Sequence, residues 1–240
     1  MTIFISIQGS YNQLEIALFK NQHCVQTIVK PGTKASSYLV PYLNELLSAH
    51  KLALSDLDFI CVDKGPGAFT SLRVIIASVN GIGFARKTPL IGIDGLDALY
   101  LQTKQSLKNK TPDIIVSILN AYNNDVYYSI NSAQEIADTQ NQKLPIKSCE
   151  KITLLLEQLS QTFAQTKILF TGNAVKLHEP EILQTLGNNT IIDPNLESNQ
   201  TAHAEQIGLM GYAAWQKQED IVNRITPNYM KTQYFALKKN

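Results

Sequence analysis

This sequence has almost no net charge and few cysteines, and each of these features excludes a class of protein. The 240 residues include 21 Lys and Arg against 20 Asp and Glu, so the formal net charge is only +1. A protein that binds nucleic acid unaided usually concentrates a basic excess on one face, and the sequence shows no such excess. The three cysteines, Cys24, Cys61 and Cys149, match no zinc spacing and indicate free thiols in a reducing compartment.

Long hydrophobic runs are missing as well. No window approaches the ~20 consecutive apolar residues that a membrane-spanning helix needs. The first residues also lack the basic segment of a secretion signal. We therefore expect a cytoplasmic protein without membrane association. The hydrophobic fraction of 44% is enough for one sizeable core or two small lobes.

The motifs of several enzyme classes are absent too. His23, His50, His178 and His203 have no metal-ligand spacing, so each is interpreted as a surface or partly buried histidine. No G-x-S-x-G motif or serine triad stands out. The sequence therefore points to no catalytic residue and no metal ligand.

The first half of the chain alternates strand-like and helix-like segments. Residues 3–7, 14–19 and 23–29 predict three strands, at least two of which form a hairpin. A leucine-rich helix follows, with Ser36 or Ser37 as its N-cap. The next segments predict, in order, a strand at 59–63, a helix at 70–85, a strand at 90–93 and a helix at 95–107 capped by Asp94. This order predicts an α/β fold with a partly parallel sheet.

The second half predicts a further set of strands and helices. Strands are expected at 114–119, 126–130, 168–171 and 190–193, and helices at 151–160, from 174 to about 186, and at 202–218. Residues 131–148 are polar and predict loop or edge structure. We therefore expect a first lobe over 1–108, a smaller lobe over 109–201 and a tail over 219–240, with helix 202–218 able to return to the first lobe.

The strongest local signal is the run from Gly65 to Arg73, which reads GPGAFTSLR. Two glycines around a proline, between a strand and a helix, predict a tight turn because glycine allows positive φ and close backbone approach. Thr70 is a natural N-cap, and free N–H groups at that point could hold an anion. The spacing alone favours a simple strand-to-helix turn over a ligand site.

The helix after this turn has no charged residue between Val74 and Ala85. A helix that covers one face of a sheet needs only one apolar stripe, so this helix must be covered on two sides. Ala77, Gly81 and Ala85 lie four residues apart and permit a close helix neighbour. The second cover is either the chain's own second lobe or another protein. If the cover is another protein, the leucine-rich helix, with Leu39, Leu43 and Leu47, contributes to the same exposed apolar surface.

The run GPGAFTSLR resembles the signature of the TsaB (YeaZ) family, whose typical members have GPGSFTGLR in this position. The resemblance extends over most of the first half, including the proline-containing helix at Leu39-Val40-Pro41 and the segment Pro89–Leu99. Later matches are weaker and include Gly172-Asn173-Ala174 and the segment 227–231.

The resemblance implies an actin-like (ASKHA) fold of two lobes, each built on a ribonuclease-H-like mixed sheet. Family members lack transfer activity of their own. They bind the catalytic relative TsaD, with TsaE as an ATPase partner, in a complex that transfers a threonylcarbamoyl group to N6 of a tRNA adenosine. The resemblance further implies a homodimer when the chain is alone, tRNA contact only through the complex, and ATP and magnesium held mainly by the partners.

Two sets of residues match functional segments of the family. The signature turn comprises Gly65, Pro66, Gly67, Phe69, Thr70 and Arg73. The helices that pack in the family's dimers correspond here to Leu39, Leu43, Leu46, Leu47, Val74, Ala77, Ser78 and Gly81.

Three departures from the family pattern fall where a ligand could bind. The usual Asp-Thr-Ser of the first turn is Gln8-Gly9-Ser10, and glutamine is a poor magnesium ligand. The family's later Asp-Ala-Arg is Asn120-Ala121-Tyr122 here, and its Gly-Asp-Gly is Thr171-Gly172-Asn173, so two further charges are lost. These changes argue against the alternative of an actin-like nucleotide-binding enzyme or a glycoprotease-like peptidase, which needs an acidic cleft. Tight binding of ATP and magnesium by the isolated chain would revive that alternative.

The sequence leaves open the roles of Asp63 and Arg73 and the choice of partner. Asp63, at a strand end, either faces a ligand or is a solvated loop acid. Arg73 pairs either with Asp63 or with a partner chain. A homodimer that acts without TsaD is a third functional hypothesis, and co-purification with TsaD would distinguish it.

Overall fold

The computed structural model describes residues 1–11, 13–31, 38–107, 112–133 and 144–231. The first half comprises β1 (Ile3–Gln8), β2 (Gln13–Lys20), β3 (His23–Pro31), α1 (Leu39–Ala49), β4 (Phe59–Asp63), α2 (Phe69–Arg86), β5 (Leu90–Ile93) and α3 (Gly95–Ser106). The second half comprises β6 (Ile114–Asn120), β7 (Asp125–Ser132), β8 (Ile146–Lys151), α4 (Ile152–Thr162), β9 (Ile168–Thr171), α5 (Val175–Leu186), β10 (Thr190–Ile192), α6 (Ala204–Lys217) and β11 (Ile221–Val222).

The strands form two sheets with the same internal order. The first sheet has the order β11-β5-β4-β1-β2-β3, and the second has the order β10-β9-β6-β7-β8. In each sheet three antiparallel strands are followed by two parallel ones. The second half thus repeats the topology of the first, apart from the added edge strand β11. Two ribonuclease-H-like units in one chain make the two-lobed actin-like α/β fold that the sequence predicts.

The predicted turns lie where local chemistry places them. Asn21 adopts a φ of 53° in the turn between β2 and β3, and Asn123 and Asn124 adopt 56° and 60° between β6 and β7. Asparagine tolerates this left-handed region better than most residues. Asp94 caps α3 as predicted, since its carboxylate accepts hydrogen bonds from the N–H groups of Leu96 and Asp97. The predicted caps Ser36 and Ser37 lie outside the described residues.

One expectation about a sheet edge is confirmed, and one edge strand was not predicted. The strand β8 occupies the end of the polar segment for which loop or edge structure was expected, and it is an edge strand with no fully buried residue. The two-residue strand β11 was not predicted. It is too short for a sequence pattern and forms only because it pairs with the edge of β5.

Helices cover both faces of the first sheet. The helices α1 and α2 pack on one face, over side chains such as Ile5, Ile16 and Val62. The helix α6 packs on the other face, where Phe4 stacks against Phe19 and Phe59 with centroid distances of 4.8 Å and 4.3 Å.

The approach of α6 to the first sheet depends on its glycines. A Cβ atom at Gly208 would lie 2.3 Å from the ring of Phe19, and one at Gly211 would lie 2.7 Å from Cys61. The hydroxyl of Ser6 also donates a hydrogen bond of 2.6 Å to the carbonyl of Ala204. The helix 204–217 therefore belongs to the first lobe, although it follows the second lobe in the chain.

The helix α3 does the opposite of α6: it precedes the second lobe in the chain but packs against the second sheet. The hydroxyl of Tyr100 donates to the carbonyl of Ser132 at 2.9 Å, and the hydroxyls of Thr103 and Thr171 lie 3.1 Å apart. The expected boundary at residue 108 assigns α3 to the first lobe, but these contacts are with strands of the second sheet. The reason is that the leucines of α3 fill the space between the second sheet and α6. Exchange of α3 and α6 joins the lobes through a shared core.

The described part of the tail runs from the first lobe to the second. The side chain of Asn80 on α2 bonds both the N–H and the carbonyl of Ile225, and the N–H of Asn228 donates to the carbonyl of Lys64. At its end Lys231 forms a salt bridge of 2.5 Å with Asp125 on β7. We call residues 224–231 the tail strap, because they link α2 to the second lobe.

Candidate functional site

The signature turn packs against the turn between β1 and β2. Gly65 has a φ of +97°, which only glycine adopts readily. A Cβ atom at Gly67 would lie 2.6 Å from the Cβ of Ser10, and the N–H of Ala68 donates to the carbonyl of Ser10 at 2.7 Å. Gly65, Pro66 and Gly67 are buried. Gly67 is therefore required by close contact between two turns of this chain, and Gly65 is required by its positive φ.

Thr70 does not cap α2, contrary to the sequence-based prediction. The helix begins at Phe69, with Ala68 as N-cap and no side-chain hydrogen bond to the first turn. The side chains of Phe69 and Thr70 are exposed. The reason is that the hydrogen bond from the N–H of Ala68 to the carbonyl of Ser10 fixes the N-cap at Ala68, two residues before the predicted Thr70.

Arg73 does not pair with Asp63. Its guanidinium lies 3.7 Å from the ring centroid of Phe69, and its Nε donates a hydrogen bond of 2.9 Å to the hydroxyl of Tyr229 in the tail strap. Asp63 instead is buried, only 3% exposed, and accepts a hydrogen bond of 2.8 Å from the N–H of Gly65. The interpretation of Asp63 as a solvated loop acid is also wrong.

The outward side of α2 is open and apolar. Val74 is 36% exposed and Phe84 is 87% exposed, and Ala77 and Gly81 are also exposed. Among the described residues, no atom would lie within 4 Å of a Cβ atom at Gly81. Ser78 is half-buried, and its hydroxyl donates back to the carbonyl of Val74. The second lobe therefore leaves these residues uncovered. We call Val74, Ala77, Gly81 and Phe84 the outer face of α2.

The leucines of α1 are placed differently from the prediction. Leu39, Leu43, Leu46 and Leu47 are all buried in the core beneath the helix. They point at the sheet because β1 and β2 offer an apolar surface there, so they cannot themselves meet a partner. The exposed apolar side chains of this region are Tyr38 and Val40. An apolar contact made by this region would therefore involve Tyr38 at the N-cap and Val40 in the helix rather than the four leucines.

The three departures from the family pattern lie around the cleft between the lobes. Gln8 is buried, and its Nε2 donates to the hydroxyl of Ser10 at 3.1 Å. The side-chain oxygen of Asn173 accepts from the N–H of Asn120 at 2.8 Å, so these two positions are in direct contact. Tyr11 donates to the carbonyl of Asn120 at 2.8 Å and thereby bridges the lobes. Burial holds the pKa of Tyr11 well above its usual value.

A cavity of about 430 Å³ adjoins this bridge, with Tyr11, Asn173 and His203 in its wall. His203 Nδ1 lies 3.1 Å from the carboxylate of Glu15, and this bond raises the pKa of the imidazole. Glu15 is buried in β2 and also accepts from the N–H of Ala204. Glu15 was not among the functional residues predicted from the sequence. Its only signal is a charged residue between Leu14 and Ile16 in an apolar strand.

His178, expected at or near the surface, is buried, with Nδ1 3.4 Å from Glu181. Within the described ranges, no group of three or more His, Cys, Asp or Glu side chains could hold a metal ion. No helix in that part of the chain is both long and apolar enough to cross a membrane.

The carboxyl of Asp63 titrates abnormally. Burial raises its pKa to about 6, the nearby charge of Asp94 adds to the rise, and hydrogen bonds from Gly65 and Ser10 oppose it. The folded chain therefore holds a proton here that the unfolded chain has released between about pH 4 and pH 6. In this window stability falls as pH rises, and above it the folded state keeps a penalty of about 3 kcal/mol.

Asp63→Asn removes this penalty. We expect the free energy of unfolding of the variant, relative to the unmodified chain, to rise by about 2–3 kcal/mol between pH 4 and pH 8. Urea denaturation at both pH values measures the difference. The matched control is Glu157→Gln on the exposed face of α4, which should show no such rise. If Asp63→Asn changed the free energy of unfolding by the same amount at both pH values, the pKa of Asp63 would not be raised as described.

The two lobes, with their repeated strand order and shared cleft, define a protein of the actin-like class. A family model described as TsaD, tRNA N6-adenosine threonylcarbamoyltransferase, matches residues 32–235. The tRNA threonylcarbamoyladenosine biosynthesis protein TsaB of Bacillus subtilis is 23% identical over 237 residues, which cover 96% of this chain and 94% of that protein. The chain therefore belongs to this family and, within it, to the TsaB (YeaZ) proteins.

Other relatives match over shorter segments. The TsaB protein of Buchnera aphidicola subsp. Acyrthosiphon pisum is 29% identical over 127 residues, which cover 53% of this chain and 56% of that protein. The match to its counterpart from the Schizaphis graminum symbiont covers 59% of that protein. The matched segment thus spans little more than half the length of these Buchnera relatives.

Solved structures agree in fold over nearly the whole chain. YeaZ from Pseudomonas aeruginosa superposes with a TM-score of 0.70 at 19% identity, covering 95% of this chain and all of that one. A Pseudomonas aeruginosa protein described as similar to peptidase YEAZ gives a TM-score of 0.72 at 20% identity, covering 96% of this chain and all of that one. At these identities the similarity concerns the fold alone.

Proposed function

We propose that this chain is a non-catalytic subunit of the complex that forms threonylcarbamoyladenosine in tRNA, and that it binds and stabilises a TsaD-type partner through the outer face of α2. The observation that carries the proposal is the exposure of this apolar face, including Phe84 at 87%. Contiguous exposed apolar side chains on a folded chain mark interaction sites. The match to the TsaD family model and to TsaB proteins supports a partner in this system.

The shape of the face supports a helix as the contacting element. Val74, Ala77 and Gly81 lie along one line of α2, and two of them are among the smallest residues. Interaxial distances between helices fall with the size of the side chains at the contact, so a partner helix can approach closely at Gly81. Phe84 provides a large apolar anchor at the end of the same line.

The cleft supports a non-catalytic role. Its first turn carries the neutral Gln8, which is buried and bonded to Ser10. Asn120 and Asn173 bond each other rather than present carboxylates to the cleft. In this proposal ATP and magnesium are held mainly by partner subunits, TsaE joins the complex in the cytoplasm, and tRNA is contacted only through the assembly. Without a TsaD-type partner the same face forms a homodimer.

Co-purification with the TsaD-type protein of the same organism tests the proposal. We expect a heterodimer that replaces the homodimer, since both assemblies compete for the outer face of α2. Size-exclusion chromatography with light scattering measures the mass. A tRNA modification assay should then show that omission of this chain reduces threonylcarbamoyladenosine formation. A homodimer that persists in excess TsaD-type protein would overturn the proposal and favour an independent role.

A further inference from the structure

A second feature adjoins the outer face of α2. A groove of about 320 Å³ runs between α2 and the tail strap. Its apolar walls come from Ile76 and Ala77 on α2 and from Ile225 and Pro227 on the strap, and Arg73 and Arg224 line it as well. Ala77 belongs both to this groove and to the outer face. We call this feature the two-arginine groove.

The groove has a fixed wall. Asn80 donates to the carbonyl of Ile225 at 2.9 Å and accepts from its N–H at 2.8 Å. The side chain of Ile225 is buried in the core beneath α2. Two hydrogen bonds from the Asn80 side chain to the strap backbone, together with the buried Ile225 side chain, therefore hold the strap against α2. The groove is thus formed before any partner binds.

Arg73 is preorganised for an acidic partner. Its guanidinium stacks on Phe69, and its Nε is used by Tyr229. This arrangement leaves the two terminal amino groups as donors. Arg224 is exposed. Within the described residues, no salt bridge involves either arginine. Two guanidinium groups thus line an apolar groove without a carboxylate from this part of the chain.

We infer that the two-arginine groove receives an acidic side chain, flanked by apolar ones, from the TsaD-type partner. This inference rests on the proposed function and deepens it. Guanidinium binds carboxylate through paired hydrogen bonds, which fix orientation as well as add energy. The groove then sets the register of the partner along α2 and selects an acidic partner.

A protein fits the groove better than a nucleic acid does. The walls between the arginines are mostly apolar, with Asn80 and Thr226 as the other polar residues of the lining, and the groove continues into the apolar outer face through Ala77. A nucleic-acid surface needs a wider basic face, whereas this chain has a net charge of only +1. The arginines therefore act as paired contacts at one edge of a protein interface.

Partner affinity of arginine variants tests the inference. Calorimetric titration with the TsaD-type protein should show a Kd about 10- to 100-fold higher for Arg73→Ala/Arg224→Ala than for the unmodified chain. Its affinity should also depend less on NaCl concentration. Arg73→Lys keeps the charge but not the paired geometry, and should lose about tenfold. The control Lys167→Ala/Lys217→Ala removes equal charge at exposed sites away from α2 and should bind like the unmodified chain.

Each outcome decides between the two proposals. If Gly81→Arg blocks the complex while the double arginine variant binds normally, the groove inference is wrong and the proposed function stands. If the unmodified chain does not bind the TsaD-type protein, both are wrong. If the arginine variants weaken binding of unfractionated tRNA to the isolated chain without changing partner affinity, the groove is a nucleic-acid site. Arg224→Glu, at an exposed position without a salt bridge in the described residues, gives the same test if the double variant misfolds.

Discussion

Gly81→Arg is expected to abolish assembly with the TsaD-type partner while leaving the chain folded. Gly81 lies on the exposed line of α2, where a partner helix can approach closely. A new Cβ there meets no atom of the described ranges within 4 Å, so the isolated chain is expected to accommodate the side chain. Replacement of a helical glycine also removes a cost of about 0.5–1 kcal/mol, so the variant should be at least as stable. In the complex, the arginine fills the space of the partner helix and brings an unpaired charge into an apolar contact.

Light scattering of the purified mixture measures the expected loss, and circular dichroism verifies the fold. Gln161→Arg, on the exposed side of α4 in the second lobe, introduces the same side chain away from α2 and should leave assembly intact. Gly81→Ala should weaken assembly less than Gly81→Arg, because a methyl group displaces the partner helix by a smaller distance. Unchanged assembly of Gly81→Arg would remove the structural basis of the proposed function.

Phe4→Ala is expected to produce the largest loss of stability among single substitutions considered for this chain. Phe4 is fully buried and stacks on Phe19, Phe59 and Tyr212. Truncation of a buried phenylalanine to alanine typically costs about 3–5 kcal/mol, through lost apolar burial and the cavity that remains. Since domains are stable by only about 5–15 kcal/mol, the variant approaches the limit of folding.

Urea denaturation, followed through Trp215, measures this loss. Trp215 is the single tryptophan of the chain, and its ring stacks on Phe59 at 4.7 Å, so its fluorescence reports on the same cluster. The matched control is Phe84→Ala, which makes the same substitution at an exposed position and should change the free energy of unfolding by less than about 0.5 kcal/mol. A loss below 1 kcal/mol for Phe4→Ala would show that the cluster does not hold α6 on the first sheet.

The apolar character of the outer face of α2 could be predicted from the sequence, but the identity of its cover could not. The absence of charge between Val74 and Ala85 predicts a helix with apolar residues all round, and the structure leaves Val74, Ala77 and Gly81 exposed. Periodicity alone could not tell whether the second apolar side of α2 is covered by the chain's own second lobe or by another protein. That choice depends on where the second lobe sits, which follows from contacts between residues far apart in sequence.

The leucines of α1 and the carboxyl of Asp63 show where the same reasoning stops. An apolar stripe at helical spacing identifies a face that must be buried, but not the surface that buries it. The first sheet covers Leu39, Leu43, Leu46 and Leu47, so they do not join the outer face of α2. Asp63 is the last residue of β4 and lies just before a glycine turn, a context typical of a solvated acid. It is buried because the signature turn and the start of α3 close over it.

The sequence by itself determined the α/β class, the order of most elements, the glycine turn after β4 and the membership suggested by GPGAFTSLR. These properties depend on local periodicity, turn chemistry and an uninterrupted motif, all of which lie within a few residues. The tertiary structure alone decided the exchange of α3 and α6, the burial of Glu15 and Asp63, and the groove between Arg73 and Arg224. Each of these joins segments separated by tens to hundreds of residues, and only the packed chain brings such segments within contact distance.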